Sequence, residues 1–222
     1  MSDNPAEQFT TEEVPQSLWP LIPTAIRRAY IAADATIDAA PYLGTPGGKY
    51  QRGDLIMLAA SYEFQKLVKA GSLPEFDGTW EYFARPTGKH FVMLTSRARI
   101  TINQVEDPRK KPRVAVFRNN YAELNEVGLF DDWDENLIRA REEAAKDGER
   151  RLLHILHGYQ DLNFAHLAYP HPERNRHIYR SPNLMRMPHE MPLTDLPPPE
   201  GPSESPDPET IENIQRHIRD DE

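Results

Sequence analysis

Histidine is the residue of this sequence best suited to chemistry, and five of the eight histidines fall between residues 154 and 177. His154 and His157 are three positions apart, which on a helix places both imidazoles on one face. Imidazole nitrogens are ligands that zinc and other transition metals accept. The spacing therefore predicts a metal site at His154 and His157. The alternative is that eight histidines produce close pairs by chance, so that the segment is only a helix flank followed by a polar loop.

Basic residues form the second pattern, centred on a strand expected at residues 97–103. Arg97 and Arg99 would project from the same side of that strand, near the aromatic rings of Trp80 and Tyr82. Guanidinium groups that follow a phosphate backbone beside rings that stack on bases are typical of single-stranded nucleic-acid sites. The predicted nucleic-acid-binding residues are Arg85, Lys89, Arg97, Arg99, Arg109, Lys110, Lys111 and Arg113. The alternative is a solvated sheet face whose arginines pair with Glu81, Glu106 or Asp107.

No short motif in the chain identifies a reaction. The absence of cysteine excludes thiol nucleophiles and thiolate metal ligands, and no Gly-x-Ser-x-Gly sequence is present. The preferred interpretation is therefore a non-enzymatic binding or regulatory protein associated with nucleic acid, with no cofactor. The alternatives are a small metal-assisted hydrolase or nuclease that uses the region from His154 to His177, and a structural subunit of a larger assembly. Whether the protein is an enzyme stays open at this stage.

Four strands are expected to carry the basic residues. Ala98, Ile100 and Ile102 alternate with polar residues, which predicts a strand with one buried face and one wet face that includes Thr101 and Asn103. Apolar or aromatic runs at residues 79–84, 90–95 and 113–118 predict the others. The second and third runs are separated by Ser96 alone and form either a pair of strands or one bent strand. The short connections favour an antiparallel meander over about residues 79–118, within an α+β fold.

Helices are expected on both sides of this sheet. Apolar spacing predicts one helix from Pro23 to about Ile37, and another that begins at Asp54 as N-cap and ends before Gly71. A charged surface helix is expected at residues 134–146, and further amphipathic helical turns at residues 152–159. The pattern at residues 162–169 fits a strand as well as a helix.

The acidity of the chain belongs to its ends. Of 35 acidic residues, four lie in residues 1–19 and nine in residues 195–222, which leaves 22 in residues 20–194 against 24 lysines and arginines. We therefore expect a flexible tail at residues 1–16, a single α+β domain at residues 17–190 and a Pro-rich acidic tail at residues 191–222, with disordered termini. No stretch has the apolar length of a membrane span or the pattern of a signal peptide, so a soluble cytoplasmic protein is expected.

The acidic tail has one segment of different character. Ile211, Ile214 and Ile218 recur at helical spacing within residues 208–219, which predicts a short helix whose apolar stripe binds a partner. A groove on the body of the protein, a second copy or another protein would each fit. The alternative is a frayed end with chance periodicity.

Overall fold

The centre of the fold is a six-stranded mixed sheet, seen in a computed structural model that describes residues 4–84, 87–113, 121–125 and 150–187. The strands, in sheet order as well as chain order, are β1 (Asp77–Ala84), β2 (Thr87–Leu94), β3 (Ala98–Val105), β4 (Arg151–Gly158), β5 (Ala165–Pro170) and β6 (His177–Arg180). The helices are α1 (Pro5–Glu13), α2 (Leu21–Ala39), α3 (Pro46–Lys49) and α4 (Arg52–Lys69).

The pairing of the strands corrects the expected meander. The strands β1, β2 and β3 are antiparallel as predicted, but β3 and β4 are parallel, with Thr101 beside His154. The sheet then continues through antiparallel β5 and β6 to Arg180. A parallel pair needs a long crossover, and about 45 residues separate β3 from β4. The α+β fold is confirmed, while the purely antiparallel sheet confined to residues 79–118 is wrong.

Both faces of β3 are covered, which corrects the predicted wet face. On one face Ile100 and Ile155 meet Phe64 of α4 around a small apolar cavity. On the other face Thr101 and Asn103 are 1 % and 3 % exposed. Strict alternation shows that one face of a strand is apolar and the other is polar. It does not show whether the polar face is exposed to solvent or covered by another part of the chain.

Helices α2 and α4 follow the expected pattern closely. Residue Ile26 of α2 and residues Ile56 and Phe64 of α4 are at most 1 % exposed, because each helix turns one apolar stripe inward. The cap of α4 is Gln51, and Asp54 instead lies in the first helical turn. Gly71 has a φ of 70° just after α4, which is the left-handed geometry that glycine allows at a helix end.

Helix α1 corrects the expectation of a flexible tail over most of residues 1–16. The side chain of Asn4 caps the helix by accepting a hydrogen bond from the Ala6 N–H, at 3.0 Å. Phe9, 5 % exposed, packs edge-on against Tyr169 of β5 with ring centroids 5.6 Å apart. Residues 1–16 are polar on average, so their composition did not indicate that α1 has one face that packs inward.

The remaining predicted elements have different outcomes. Residues 152–159, expected to be helical, form β4, and the undecided residues 162–169 contribute strand β5. The fourth predicted strand, apart from Arg113, and the helix at residues 134–146 lie outside the described residues, as do Arg85 and the isoleucine stripe at Ile211, Ile214 and Ile218.

The chain divides into two units, residues 1–190 and 191–222. The second unit is the acidic tail, and it lies outside the described residues. Among the described residues, no helix combines the length and apolar character that crossing a membrane requires.

Candidate functional site

The two arginines that centred the sequence prediction are held in ion pairs. Arg97 lies 2.6 Å from a carboxylate oxygen of Glu13 and 2.8 Å from one of Glu12, both on α1. The hydrogen bond from Arg97 lowers the pKa of Glu12, and in turn the pKa of Arg97 is raised by its hydrogen bond to Glu12. This arrangement fastens α1 to the turn between β2 and β3.

Arg99 is also paired, in its case with a carboxylate of the sheet. Its guanidinium donates a hydrogen bond to Glu81 of β1 and lies 4.0 Å from the ring centroid of Tyr121. The structure thus shows the pairing with Glu81 that was the alternative to a nucleic-acid role for this arginine. With a carboxylate and a ring already in contact, little of its charge is left for a phosphate.

Lys89 lies apart from the other predicted residues. It occupies an exposed position on β2, beside Tyr82 in the strand register. Strands β3, β4 and β5 separate it from β6. This lysine therefore belongs to a different part of the surface from the basic residues that follow β3.

Those basic residues join a second basic segment that the sequence prediction had not included. Residues 106–113 follow β3, residues 171–176 connect β5 to β6, and we call the two segments together the basic loop cluster. Its cations are Arg109, Lys110, Lys111, Arg113, Arg174 and Arg176, and its acidic residues are Glu106, Asp107 and Glu173. The cluster carries six cations against three carboxylates, in contrast to the near-balanced body as a whole.

Lys111 joins the two halves of the cluster. Its backbone N–H donates to Asn175 Oδ1 at 3.1 Å, and its Nζ donates to the carbonyl oxygens of His171 and Pro172 at 3.0 and 3.1 Å. Among the described residues no carboxylate pairs with this ammonium group. Carbonyl oxygens fix the position of the ammonium without neutralising it. Partial burial lowers its pKa.

One cation of the cluster is internally paired. Arg109 donates to both carboxylate oxygens of Asp107, at 2.9 and 3.0 Å. This hydrogen bonding holds the pKa of Asp107 at about 2. Both groups are on the protein surface, so the pair gives local order to the loop and little stability.

The histidines of this region report a positive electrostatic environment. Burial lowers the pKa of His171, and the charges of Arg174, Arg176 and Lys111 lower it further. Burial likewise lowers the pKa of His177 to about 4, with smaller contributions from Arg180 and Lys111. The positive charges that make protonation of these two histidines unfavourable would also attract a bound anion.

The predicted metal pair loses the geometry on which it rested. His154 and His157 lie on strand β4, and positions three apart on a strand project to opposite faces. His154 contacts Thr101, whereas the Nδ1 of His157 is 3.0 Å from the hydroxyl of Tyr30 on α2. In the ranges that the structure describes, no three His, Asp or Glu side chains come together in a group that could hold a metal ion.

His157 and Tyr30 form a buried neutral pair. Burial lowers the pKa of His157 to about 4 and raises that of Tyr30 to about 12. The Tyr30 hydroxyl donates to the carbonyl of Gly158, so it accepts from the Nδ1–H of His157. The pair connects α2 to the end of β4, which is a structural role.

His154 instead belongs to a polar cluster on the face of the sheet that carries Thr101 and Asn103. Asn103 Nδ2 lies 2.9 Å from Thr101 Oγ1 and 3.2 Å from His154 Nδ1, and it also donates to the Thr101 carbonyl at 3.1 Å. Because Nδ2 can only donate, Nδ1 of His154 is the acceptor and its proton is on Nε2. The Thr101 hydroxyl, 2.9 Å away, donates to the same nitrogen.

The second histidine of this cluster comes from β6. The ring of His177 meets that of His154 edge-on, with centroids 6.3 Å apart. Two histidines 23 positions apart are thus neighbours, while the pair three positions apart is separated. The signal in the sequence was the Thr101 and Asn103 pair on one side of a strand, which had been assigned to solvent.

Comparison with known proteins adds no further assignment. No protein-family model, curated protein or solved structure matches the chain.

Proposed function

We propose that the protein binds a phosphodiester polyanion, a single-stranded nucleic acid, through the basic loop cluster. The observation that carries the proposal is Lys111, whose contacts with His171 and Pro172 bring two separate basic segments together. Its ammonium group is oriented by carbonyl oxygens and keeps its charge available for phosphate. The proposal keeps Arg109, Lys110, Lys111 and Arg113 from the sequence prediction and adds Arg174 and Arg176.

The charge distribution supports this location over the β3 strand face. Arg97 and Arg99 are committed to Glu13 and Glu81, whereas Lys110, Arg174 and Arg176 are exposed. Exposed cations on two adjoining loops can follow successive phosphates and release their counterions on binding. The function is binding and regulation, with the cluster as the contact surface.

The test is the affinity of the wild type and of charge-removal variants for a fluorescein-labelled single-stranded 20-mer, measured by anisotropy over a range of salt concentrations. The cluster variant carries Lys110→Gln, Arg174→Gln and Arg176→Gln. The matched control is Lys89→Gln, which removes an exposed cation from β2. We expect the cluster variant to bind much more weakly, and the slope of log K against log salt to flatten by about 0.7 for each phosphate that the variant no longer neutralises.

Two results would contradict the proposal. One is a wild type that shows no binding at roughly 20 mM salt, where electrostatic association is strongest. The other is an equal loss of log K per charge removed in the cluster variant, which removes three charges, and in Lys89→Gln, which removes one; this would show that net charge alone governs binding.

A further inference from the structure

The two edges of the sheet differ in how they are protected from pairing. Edge β6 is short, from His177 to Arg180, and its pairing with β5 is interrupted by an irregularity at Tyr169 and Pro170. It also ends in a cation. Short length, irregular register and charge are the devices by which proteins block edge-to-edge pairing.

Edge β1 is neither short nor irregular, and its charged residues are Asp77 at its first position and Glu81. Its eight residues, Asp77–Ala84, pair with β2 in an unbroken register, and no lysine, arginine or proline interrupts them. Residues 77–80 and Tyr82 are exposed. Gly78 is among them, and since glycine has no side chain, its exposure is that of the backbone itself. Within the described part of the sheet β1 pairs on one side only.

The side chains on β1 are those of an interface and not of a solvated strand. Trp80 and Tyr82 project from the same face and are 38 % and 64 % exposed. The one carboxylate in the middle of the strand, Glu81, is partly screened by its ion pair with Arg99 of its own chain. Exposed tryptophan and tyrosine beside an open backbone edge are the features of sites that accept another strand.

We propose that β1 is the dimer interface of this protein, at which a second copy pairs antiparallel through its own β1. A twofold axis makes the strand its own partner, so both open edges are satisfied at once. The protected β6 edge then stops the assembly at two copies, giving one continuous sheet of twelve strands from the six in each chain.

Like charges select the register. Directly opposed residues of an antiparallel pair share a face, so the axis passes through one residue of β1. An axis at Glu81 opposes two carboxylates, and an axis at Thr79 opposes Asp77 to Glu81, both of which are unfavourable. An axis at Trp80 opposes Trp80 to itself and Glu81 to Thr79, so no two carboxylates face one another. The register centred on Trp80 is therefore assigned.

The first test is the molar mass in solution, measured by light scattering from about 1 to 100 μM, a range centred on ordinary dimer affinities. We expect the wild type to reach twice the 25.5 kDa of the chain. Trp80→Lys and Tyr82→Lys, which place a charge on the edge, should remain monomeric. The control Tyr50→Lys changes an aromatic residue that is 85 % exposed outside the sheet and should dimerise normally. Circular dichroism confirms that each variant is folded.

The second test uses the absence of cysteine, since any introduced thiol is unique in the chain. In the assigned register, Trp80→Cys places two thiols opposite one another at disulfide distance, and mild oxidation should give a covalent dimer. Tyr50→Cys is the control for random collision. A wild type that stays monomeric at every concentration overturns the proposal, as does a dimer in which Trp80→Cys cross-links no faster than Tyr50→Cys.

Discussion

Thr101 shows how one hydroxyl can be central to a buried polar cluster. It accepts a hydrogen bond from Asn103, donates one to His154, and is 1 % exposed. At this degree of burial, bulk water does not replace the hydroxyl as a partner. Removal of the hydroxyl therefore leaves two buried polar groups with fewer hydrogen bonds, which costs more than the bond itself contributed.

We expect Thr101→Val to lower the free energy of unfolding by about 1 to 3 kcal/mol, although the two side chains have nearly the same shape. The control is Thr36→Val on the exposed side of α2, where the hydroxyl bonds only to the Ala32 carbonyl one turn earlier, at 2.8 Å. Urea unfolding of both variants measures the difference. Equal stabilities would show that the Thr101 hydroxyl is replaceable.

Introducing a charge at the same position gives a sharper contrast with the wet face that the alternation predicts. A wet face would tolerate Thr101→Asp, whereas a carboxylate buried beside His154 should unfold the domain or destabilise it as strongly as Ile100→Asp does in the apolar core. The thermal midpoints of the two variants provide the measurement. A Thr101→Asp variant as stable as the wild type would contradict the burial of this face.

At the scale of elements, α1 is attached to the sheet by a buried carboxylate. The side chain of Glu13 is 4 % exposed, accepts from the Thr95 hydroxyl and pairs with Arg97. Its neighbour Glu12 contacts the same arginine, but 45 % of its side chain is exposed. Arg97 therefore has two neighbouring acidic partners, of which the Glu13 carboxylate is buried and the Glu12 carboxylate is exposed.

We expect Glu13→Ala to destabilise the protein by about 1 to 3 kcal/mol, because the buried Thr95 hydroxyl loses its acceptor and α1 loses the buried carboxylate that contacts Arg97. Glu12→Ala should cost less than about 1 kcal/mol, as is usual for exposed ion pairs. Chemical denaturation distinguishes the two. Similar small losses for both would mean that α1 contributes little to the stability of the domain.

Helices α2 and α4 and the first three strands could be predicted from the sequence because their patterns are local. The apolar stripes of α2 and α4 and the alternation of β3 are set by residues a few positions apart. Strand β4 could not be predicted in this way. Seven of its eight residues are buried, so it has no wet face to alternate with, and its two histidines suggested helical spacing instead.

The candidate site was predictable only in part, for the same reason. The residues of 106–113 are basic in the sequence itself, but their association with Arg174 and Arg176 depends on the contacts of Lys111 with His171 and Pro172. The cluster of His154, Thr101 and His177 depends likewise on strand pairings between distant segments. Such pairings leave no periodic signal.

At the scale of the whole molecule, two buried neutral histidines, His157 and His177, make the stability of the protein depend on pH. The pKa of His157 and that of His177 are each lowered to about 4 from a usual value of 6.5, principally by burial. Between these values the unfolded chain binds protons that the folded protein does not. The free energy of unfolding therefore falls as the pH falls from about 6.5 towards about 4.

We expect His157 alone to account for a loss on the order of 3 kcal/mol over that range. Urea unfolding of the wild type and of His157→Gln at pH 7 and pH 4.5 tests this. The variant should lose distinctly less stability between the two conditions. A wild type with the same stability at both would show that these histidines are accessible to protons in the folded state.

The parallel pairing of β3 with β4 has a consequence for the synthesis of the chain. Strand β3 leaves the ribosome with β1 and β2 already available, but its other neighbour follows about 45 residues later. At bacterial or eukaryotic translation speeds this interval lasts roughly 2 to 9 s. Throughout it, β3 lacks the neighbouring strand that completes the burial of Ile100, Ile102 and Val105, which are at most 7 % exposed in the folded protein. Chaperones that bind emerging apolar strands would meet this protein at that stage, and a slower passage through residues 106–150 would prolong its exposure to aggregation.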